Sequence, residues 1–303
     1  MANEQINTIY HYTDWKAFED IVGNKRMQLS NVKLSNDSNE IIEFLNEYDC
    51  RPIIELAFKI KKNLKLNHDL SRTDLIKIFV NHVSLFSFCF TKKKDGAAQW
   101  DRYANKGLGV CIGFNEDYIK KFELPFRYDE VKYNLTLDEN QTKKSIKEFN
   151  DYLKSIENKN TNSKIFQSME DRIWNIFYEL YLKSFFYKNF SFDSENEYRL
   201  CIPSIELKKI KNNDFIEEEN YEENNLNTSK VRYSVSNEKI REYISLKMDK
   251  FCDHYKVDYS NFIKEIIIGP KSIMNEELVK RYLESKGLKE LAKKVKKSKS
   301  SFR

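Results

Sequence analysis

The sequence has 303 residues, of which 52 are Lys or Arg, 47 are Asp or Glu and 40% are hydrophobic. A chain of this length can bury a large core, and its 21 Phe and 18 Tyr residues argue against a disordered protein. The net charge of +5 is too small to indicate nucleic-acid binding by itself. No stretch of about 18 apolar residues predicts a membrane span, and residues 1–13 lack the basic start and apolar run of a signal peptide. We therefore expect a cytoplasmic protein that does not act at a membrane.

The cysteines form neither a metal-binding pattern nor a disulfide pattern. They are odd in number, widely spaced and without a CxxC pair. The five positions are Cys50, Cys89, Cys111, Cys201 and Cys252. We expect reduced thiols and no bound metal.

The N-terminal third combines strand and helix patterns. Thr8–Tyr12 predicts a strand because it is rich in β-branched and aromatic residues. Thr13 or Asp14 can then cap a helix that ends near Gly23. The further predicted elements are a short strand at 27–34, a helix that starts at a capping box formed by Asp37 and Glu40, and helices at 52–63 and 72–81.

The rest of the chain contains several apolar strand patterns. The run at 82–91 is nearly all apolar and β-forming, as expected of a strand buried on both faces. Residues 97–103 predict a helix, and 107–114 predict another buried strand. Helical periodicity dominates 136–189, and 211–228 reads as an acidic surface loop. The other predicted elements are strands at 126–134, 197–203, 232–235, 240–246 and 262–269, a helix at 275–286, and a lysine-rich tail at 286–303.

These elements do not follow a regular βαβ rhythm, which favours an α+β fold. We expect one α+β domain over 1–303, with a mixed, mostly antiparallel central sheet, flanking helices, a helical insertion at about 136–189 and an acidic surface loop at about 211–228. The tail has two interpretations, a contact with nucleic acid or lipid, or a final edge strand protected by lysines.

Six pieces of sequence occur in a characteristic order. They are YHYT at 10–13, SNDSNE at 35–40, FSFCFT at 86–91, QWDRYANKGLGVCIGF at 99–114, KNFSFDSENEYRL at 188–200 and IKEIIIGP at 263–270. Together they resemble the bacterial family catalogued as domain of unknown function 2971. Its pattern has a YHYT-like first strand, an NDxxE turn, a WxxYA helix leading to a GxxxGF strand, and an ExExR strand. The resemblance runs through nearly the whole chain, but it implies no defined activity.

A second resemblance concerns chemistry. An N-terminal strand with a His, a following helix and a Glu on a late strand are similar to the ADP-ribosyltransferase fold, which includes relatives that begin with a similar His-x-Thr. In that superfamily the first-strand residue hydrogen-bonds the NAD ribose, an aromatic side chain stacks on nicotinamide, and the late Glu contacts the 2′-hydroxyl. The resemblance implies that His11 takes the first role and Glu197 or Glu195 the last. The implied NAD-binding residues are Tyr12, Thr13, Trp100, Tyr103 and Arg199, with Tyr12 and Tyr103 as the alternatives for the stacking aromatic.

The predicted catalytic residues His11, Glu195 and Glu197 also have purely structural interpretations. A lone His between two Tyr residues, such as His11, is more often a structural side chain. Glu195, Glu197 and Arg199 alternate as on one face of a strand, which also describes an ion-paired ladder. The ion-paired ladder and the catalytic role are compatible if Arg199 orients the catalytic glutamate.

The aromatic residues are open to a similar alternative. Trp100 and Tyr103 lie three apart on the predicted helix, so they share a face. Core packing is the simpler interpretation, and stacking on nicotinamide or a base is the other. Arg102 has the fork geometry to bind a pyrophosphate, although a single Arg on a helix is usually solvated.

Three functions follow from these patterns. The first is an NAD-consuming enzyme, which either transfers ADP-ribose to a protein or nucleic acid or hydrolyses NAD. Its expected biological role is that of a toxin or an anti-phage effector. The second is a non-catalytic module that senses a nucleotide or nucleic acid through the basic tail, Trp100 and Tyr103. The third is a metal-dependent nuclease using Asp37, Glu40, Glu195 and Glu197, which ranks last because no nuclease motif is evident.

Overall fold

The computed structural model describes residues 7–32, 41, 44, 84–133, 181–207, 215–217, 230–236 and 239–301. The chain separates into two compact units, one formed by Met1–Leu34, Leu85–Glu130 and Ser194–Arg303, the other by Ser35–Ser84 and Val131–Asp193. The predicted site residues lie in the first unit, except Asp37 and Glu40 of the nuclease hypothesis, which belong to the second. The capping box at Asp37 and Glu40, the helices at 52–63 and 72–81, and most of 136–189 and 211–228 lie outside the described residues.

The first unit contains ten strands among its described residues. They are β1 (Thr8–Thr13), β2 (Arg26–Asn31), β3 (Leu85–Thr91), β4 (Val110–Asn115), β5 (Arg127–Glu130), β6 (Glu197–Pro203), β7 (Val231–Ser236), β8 (Lys239–Lys247), β9 (Ile263–Ile268) and β10 (Val295–Lys297). The α-helices are α1 (Trp15–Phe18), α2 (Ala97–Tyr103), α3 (Glu116–Ile119), α4 (Ser204–Leu207), α5 (Met248–His254), α6 (Tyr259–Phe262), α7 (Glu276–Ser285) and α8 (Lys289–Ala292). The predicted α+β class with a mostly antiparallel sheet is confirmed.

The sheet divides at β3. Its order is β10-β9-β4-β1-β3-β2-β8-β7, and β6 pairs with both β3 and β5. β6 pairs with every residue of β3, from Leu85 opposite Pro203 to Thr91 opposite Glu197. A strand has only two edges, so β1 and β2 share the other edge of β3. β1 meets it at Thr91 and β2 at Ser87 and Phe86, which leaves a gap beside Phe88 and Cys89.

The two faces of the sheet differ in what they pack against. One face contributes Phe86, Phe88 and Phe90 of β3 to the large hydrophobic core. The other face carries a small core around Trp100, which contacts β1 through Tyr10 and Tyr12. Because side chains alternate along a strand, residues that pair across β1, β3 and β6 share one face.

The helix predicted after β1 is present, but it changes from an α-helix to a π-helix before it ends. Asp14, one of the two predicted caps, accepts a hydrogen bond from the Ala17 amide at 2.8 Å. The four-residue helix α1 continues as a π-helical turn over Glu19–Gly23. Among the described residues, none of the helices has the length and apolar content needed to cross a bilayer.

The lysine-rich tail is part of the sheet. β10 pairs in parallel with β9 at the edge of the sheet, which confirms the edge-strand interpretation. Lys294 donates through Nζ to the Ile263 carbonyl at 2.9 Å, and Lys297 donates to the Ser272 carbonyl at 2.8 Å. These lysines therefore hold the fold together instead of forming a free basic patch.

The described part of the second unit is small. The Lys132 amide donates to the Phe186 carbonyl at 2.7 Å, and the Lys188 amide donates to the Lys132 carbonyl at 3.1 Å. Phe44 packs against Tyr187 with ring centroids 5.4 Å apart. The backbone bonds and the ring contact tie segments of this unit that lie far apart in the sequence.

Candidate functional site

His11 lies at the division of the sheet. After Tyr10 pairs with Thr91, β1 leaves β3, and the His11 side chain reaches across. Its Nδ1 lies 2.8 Å from the carbonyl oxygen of Cys89, and its ring lies 4.1 Å from the Phe88 ring. The imidazole thus bonds to a β3 carbonyl at the gap between β1 and β2.

The hydrogen bond fixes the tautomer of His11. A carbonyl oxygen only accepts, so Nδ1 carries the proton and, in the neutral ring, Nε2 is an acceptor. Desolvation by burial lowers the pKa of His11 to about 4, against smaller opposite effects of the Cys89 carbonyl and Asp14. His11 is therefore neutral near pH 7 and presents a lone pair on Nε2.

This pKa makes stability depend on pH. In the unfolded chain His11 titrates near 6.5, and in the folded protein near 4. As the pH falls from 6.5 towards 4, the unfolded state takes up a proton that the folded state does not, so folding stability is lost. We expect a loss on the order of 1–2 kcal/mol, reduced from the full linkage value because the ring is partly exposed.

The variant His11→Asn tests this contribution. Urea denaturation at pH 7.5 and pH 4.5 should show a smaller loss of stability in the variant than in the wild type. Equal losses in the two proteins would show that His11 does not cause the effect.

Glu197 and Arg199 form a buried ion pair on β6. Arg199 donates from Nε to Glu197 Oε1 at 2.7 Å and from a terminal nitrogen to Oε2 at 3.2 Å. The two side chains are only 5% and 8% exposed, respectively. Such a two-point contact holds the carboxylate in one orientation. The ladder interpretation of these two residues and the orienting role of Arg199 therefore describe the same contact.

Cys89 lies between the imidazole and the ion pair. It pairs with Arg199 across the β3–β6 ladder, and Thr91 pairs with Glu197. Desolvation, followed by the charge of Glu197, raises the pKa of the Cys89 thiol well above its usual value. The side chain is nevertheless exposed to solvent. Cys89 is therefore a protonated thiol near neutral pH that solvent can reach.

The side chains of His11 and Glu197 approach Cys89 from different faces of the sheet. Strand alternation gives Tyr10 and Tyr12 the face of Cys89 and Glu197, whereas His11 is directed towards Phe88. The imidazole contacts the backbone of Cys89, and the carboxylate acts on its thiol. The two predicted catalytic residues therefore approach the same residue of β3, His11 from the Phe88 face of the sheet and Glu197 from the opposite face.

Glu195 does not lie on the strand, which corrects the expected ladder. It ends a 3-10 turn over Phe190–Glu195, and β6 begins at Glu197. The residue between them, Asn196, has a φ of 50° and turns the chain. Asn tolerates this left-handed conformation, which a regular strand excludes, better than most residues do. Glu195 and Glu197 therefore point into different surroundings.

The side chain of Glu195 is bound to helix α2. Arg102 donates to its Oε1 at 2.9 Å, and the Tyr103 hydroxyl donates to the same oxygen. Thr91 donates from Oγ1 to the Glu195 carbonyl at 2.7 Å. Tyr103 is 45% exposed, so its ring remains available to a ligand. Arg102 pairs with Glu195 instead of standing free in solvent.

Substitutions at Asn196 test whether the chain needs a left-handed turn between Glu195 and Glu197. Asn196→Gly should change the free energy of unfolding by less than about 0.5 kcal/mol, because Gly adopts positive φ without strain. Asn196→Val should lose about 1–2 kcal/mol, because a β-branched residue is strained there. Chemical denaturation of both variants measures the difference, and equal stabilities would contradict a required left-handed turn.

Tyr12, Thr13 and Trp100 are placed as structural residues. The Tyr12 hydroxyl donates to the Lys93 carbonyl at 2.9 Å and accepts from the Gly96 amide at 2.9 Å. Thr13 is buried at the end of β1. Trp100 has no exposed surface and contacts the Tyr12 ring edge-on at 4.9 Å. The positions of Tyr12 and Trp100 favour core packing over ligand stacking, which leaves Tyr103 as the accessible aromatic.

Cys89 and Asp95 are the residues that the sequence analysis did not assign to the site. Asp95 accepts from Trp100 Nε1 at 2.7 Å and holds the loop before α2. In FSFCFT, small polar residues alternate with phenylalanines, which predicts that Ser87, Cys89 and Thr91 lie on one face of the strand and the phenylalanines on the other. This alternation could have pointed to Cys89.

Two surface cavities formed by described residues lie away from the predicted site. Two shallow cavities, of about 390 and 290 Å³, contain none of the predicted site residues. They are lined by Lys280, Glu284, Lys289, Glu290, Ala292 and Lys293, and by Leu124, Pro125, Arg127 and Glu206. In the part of the chain that the structure describes, no group of three His, Cys, Asp or Glu side chains could hold a metal ion.

The comparisons with known proteins identify a family similarity. A family model described as a protein of unknown function (DUF2971) matches residues 99–200. This stretch contains most of α2, all of β4 and β5 and the start of β6, and with them the WxxYA, GxxxGF and ExExR pieces. No curated protein and no solved structure matched the chain. The resemblance to this family is confirmed over residues 99–200.

Proposed function

We propose that this protein consumes NAD, either by transferring ADP-ribose to a protein or nucleic-acid acceptor or by hydrolysing NAD. The observation that carries the proposal is the adjacency of β1, β3 and β6, which brings His11 and Glu197 to Cys89. The order of a first strand with His11, a helix after it and a late strand with Glu197 agrees with the order implied by the ADP-ribosyltransferase resemblance. In this proposal the protein is a toxin or an anti-phage effector, which acts by modifying its acceptor or by depleting NAD.

The proposed reaction is a displacement at the ribose carbon that bears nicotinamide. The glycosidic bond breaks and its electron pair leaves with nicotinamide, while water or an acceptor oxygen or nitrogen forms the new bond and loses a proton. Positive charge develops on the ribose in the transition state, and the Glu197 carboxylate stabilises it. Arg199 keeps that carboxylate oriented.

His11 has a binding role in this scheme. Because its Nδ1 is held by the Cys89 carbonyl, Nε2 is left to accept a hydrogen bond from a ribose hydroxyl. Its low pKa keeps it neutral, so it does not add positive charge beside the charged nicotinamide ring. Tyr103 supplies an exposed ring for stacking.

The sensing module has less support. It relied on the basic tail and on Trp100 and Tyr103 as a stacking pair. The tail lysines Lys294 and Lys297 bond within the fold, and Trp100 is fully buried.

Release of nicotinamide from NAD tests the proposed function. We expect the wild type to release it, and His11→Asn and Glu197→Gln to release it about 10²- to 10³-fold more slowly. Glu290→Gln is a matched control, because Glu290 lies on helix α8, is 63% exposed and forms an exposed ion pair with Lys293. Thermal unfolding of each variant separates loss of chemistry from loss of fold. No release by the wild type, or undiminished release by both site variants, would refute the proposal.

A further inference from the structure

The C-terminal segment reaches the loop that supports the predicted site. We define the strap as residues 295–300, which comprise β10 and the three residues after it. The Ser298 amide donates to the Ile268 carbonyl at 2.9 Å, which continues the β9–β10 contact past the strand. The strap is therefore fixed along the edge of the sheet up to Ser298.

At Ser298 and Lys299 the strap binds the carboxylate of Asp95. Asp95 accepts from the Lys299 amide at 2.7 Å through Oδ2 and from the Ser298 hydroxyl through Oδ1. The same Oδ1 accepts from Trp100 Nε1 at 2.7 Å. These hydrogen bonds, with that of the Ser300 amide, lower the pKa of Asp95 against the opposing effect of desolvation. The acid is ionised and joins the strap to helix α2.

A second contact holds the strap beside the same loop. Glu265 of β9 pairs with Lys296 of the strap and, at 2.9 Å, with Lys94. Tyr10 donates to the same carboxylate at 2.7 Å. Consecutive loop residues, Lys94 and Asp95, are thus both connected to the C-terminal segment.

The loop connects in turn to the corner that carries both acids. Lys93 Nζ donates to the Ser194 carbonyl, and the Lys93 amide donates to Thr91 Oγ1 at 3.1 Å. Thr91 donates to the Glu195 carbonyl at 2.7 Å, and Gln99 Nε2 lies 3.4 Å from the Ser194 carbonyl. A continuous set of hydrogen bonds leads from the strap through the loop to the Ser194–Glu197 corner.

From this connection we propose that Asp95 is a positioning residue through which the C-terminal strap holds the 92–96 loop and the Ser194–Glu197 corner in place. A charged acceptor shared by several donors is stronger than separate neutral contacts, so its loss affects all of them together. Detachment of the strap frees the loop and then the corner, while the hydrophobic core stays intact. The inference does not depend on the chemistry proposed above, because it concerns which segments hold one another.

Hydrogen exchange of the full chain and three variants tests the proposal. One variant lacks residues 298–303, one is Asp95→Asn, and the matched control is Glu290→Gln, whose ion pair lies in the same C-terminal region but is mostly exposed. We expect amides in 92–96 and 194–197 to exchange at least about tenfold faster in the truncated protein. Asp95→Asn, which keeps one acceptor oxygen, should give a smaller increase, and Glu290→Gln should match the wild type.

Strand β8 serves as the internal reference, since it pairs with β2 and β7 and contributes Ile244 and Leu246 to the hydrophobic core. Unchanged exchange at 194–197 after truncation would overturn the proposal, and so would an equal increase in β8, which would mean global destabilisation. The readout is independent of NAD, so failure of the proposed function leaves it unaffected. Conversely, if the protein releases nicotinamide but truncation causes no local change in exchange, the proposed function stands and the proposed role of the strap is refuted.

Discussion

Arg199→Met is expected to lower the free energy of unfolding by about 3–5 kcal/mol. The substitution removes two hydrogen bonds to Glu197 and takes the positive charge of Arg199 away from a carboxylate that is only 8% exposed. Desolvation of an ion is costly, and the paired arginine offsets part of that cost. Urea denaturation near neutral pH measures the loss.

A double variant separates the cost of a lone charge from the value of the pair. Glu197→Gln/Arg199→Met removes both charges, so it should be more stable than Arg199→Met alone by more than about 1 kcal/mol. If the double variant is as unstable as the sum of the two single variants, the two side chains act independently and the buried pair does not explain their burial.

Trp100→Ala is expected to lower the free energy of unfolding by about 3–5 kcal/mol. The indole has no exposed surface and is the largest side chain of the small core on the α2 face of the sheet. Its removal creates a cavity against Tyr12 and takes one donor from Asp95. Thermal and chemical unfolding should both report the loss.

Trp100→Phe is the control for the hydrogen bond. It keeps an aromatic ring in the core and loses the Nε1 donor, so we expect a smaller loss of about 1–3 kcal/mol. Retention of nicotinamide release by this variant would agree with a packing role for Trp100. A specific loss of NAD binding in a stable Trp100→Phe protein would instead restore the stacking interpretation.

The strands were predictable where apolar alternation or a continuous apolar run gave a clear period. Residues 197–203 match β6 in full, and the run at 82–91 contains β3. The limits of Asn275–Lys286 were also predictable, because Asn275 caps helix α7 through a 2.8 Å bond to the Leu278 amide. Local chemistry determined each of these elements.

The arrangement of the site was less predictable, because pairing between distant segments determines it. Alternation suggested that Glu195 and Glu197 share a strand face, but the left-handed turn at Asn196 separates them. No local pattern indicates that two strands share one edge of β3, and so none indicates that the His11 imidazole meets Cys89. The role of Asp95 likewise depends on a partner 204 residues away in the sequence.

Alkylation of Cys89 measures most directly whether NAD binds where the sheet divides. Cys111, Cys201 and Cys252 are buried, whereas Cys89 is exposed, so peptide mapping after treatment with a small thiol reagent at mildly alkaline pH reports its rate separately. We predict that NAD slows modification of Cys89 in the wild type and has a much weaker effect in His11→Asn. If wild-type protein releases nicotinamide while saturating NAD leaves the rate at Cys89 unchanged, the reaction takes place elsewhere and the account of this site is wrong.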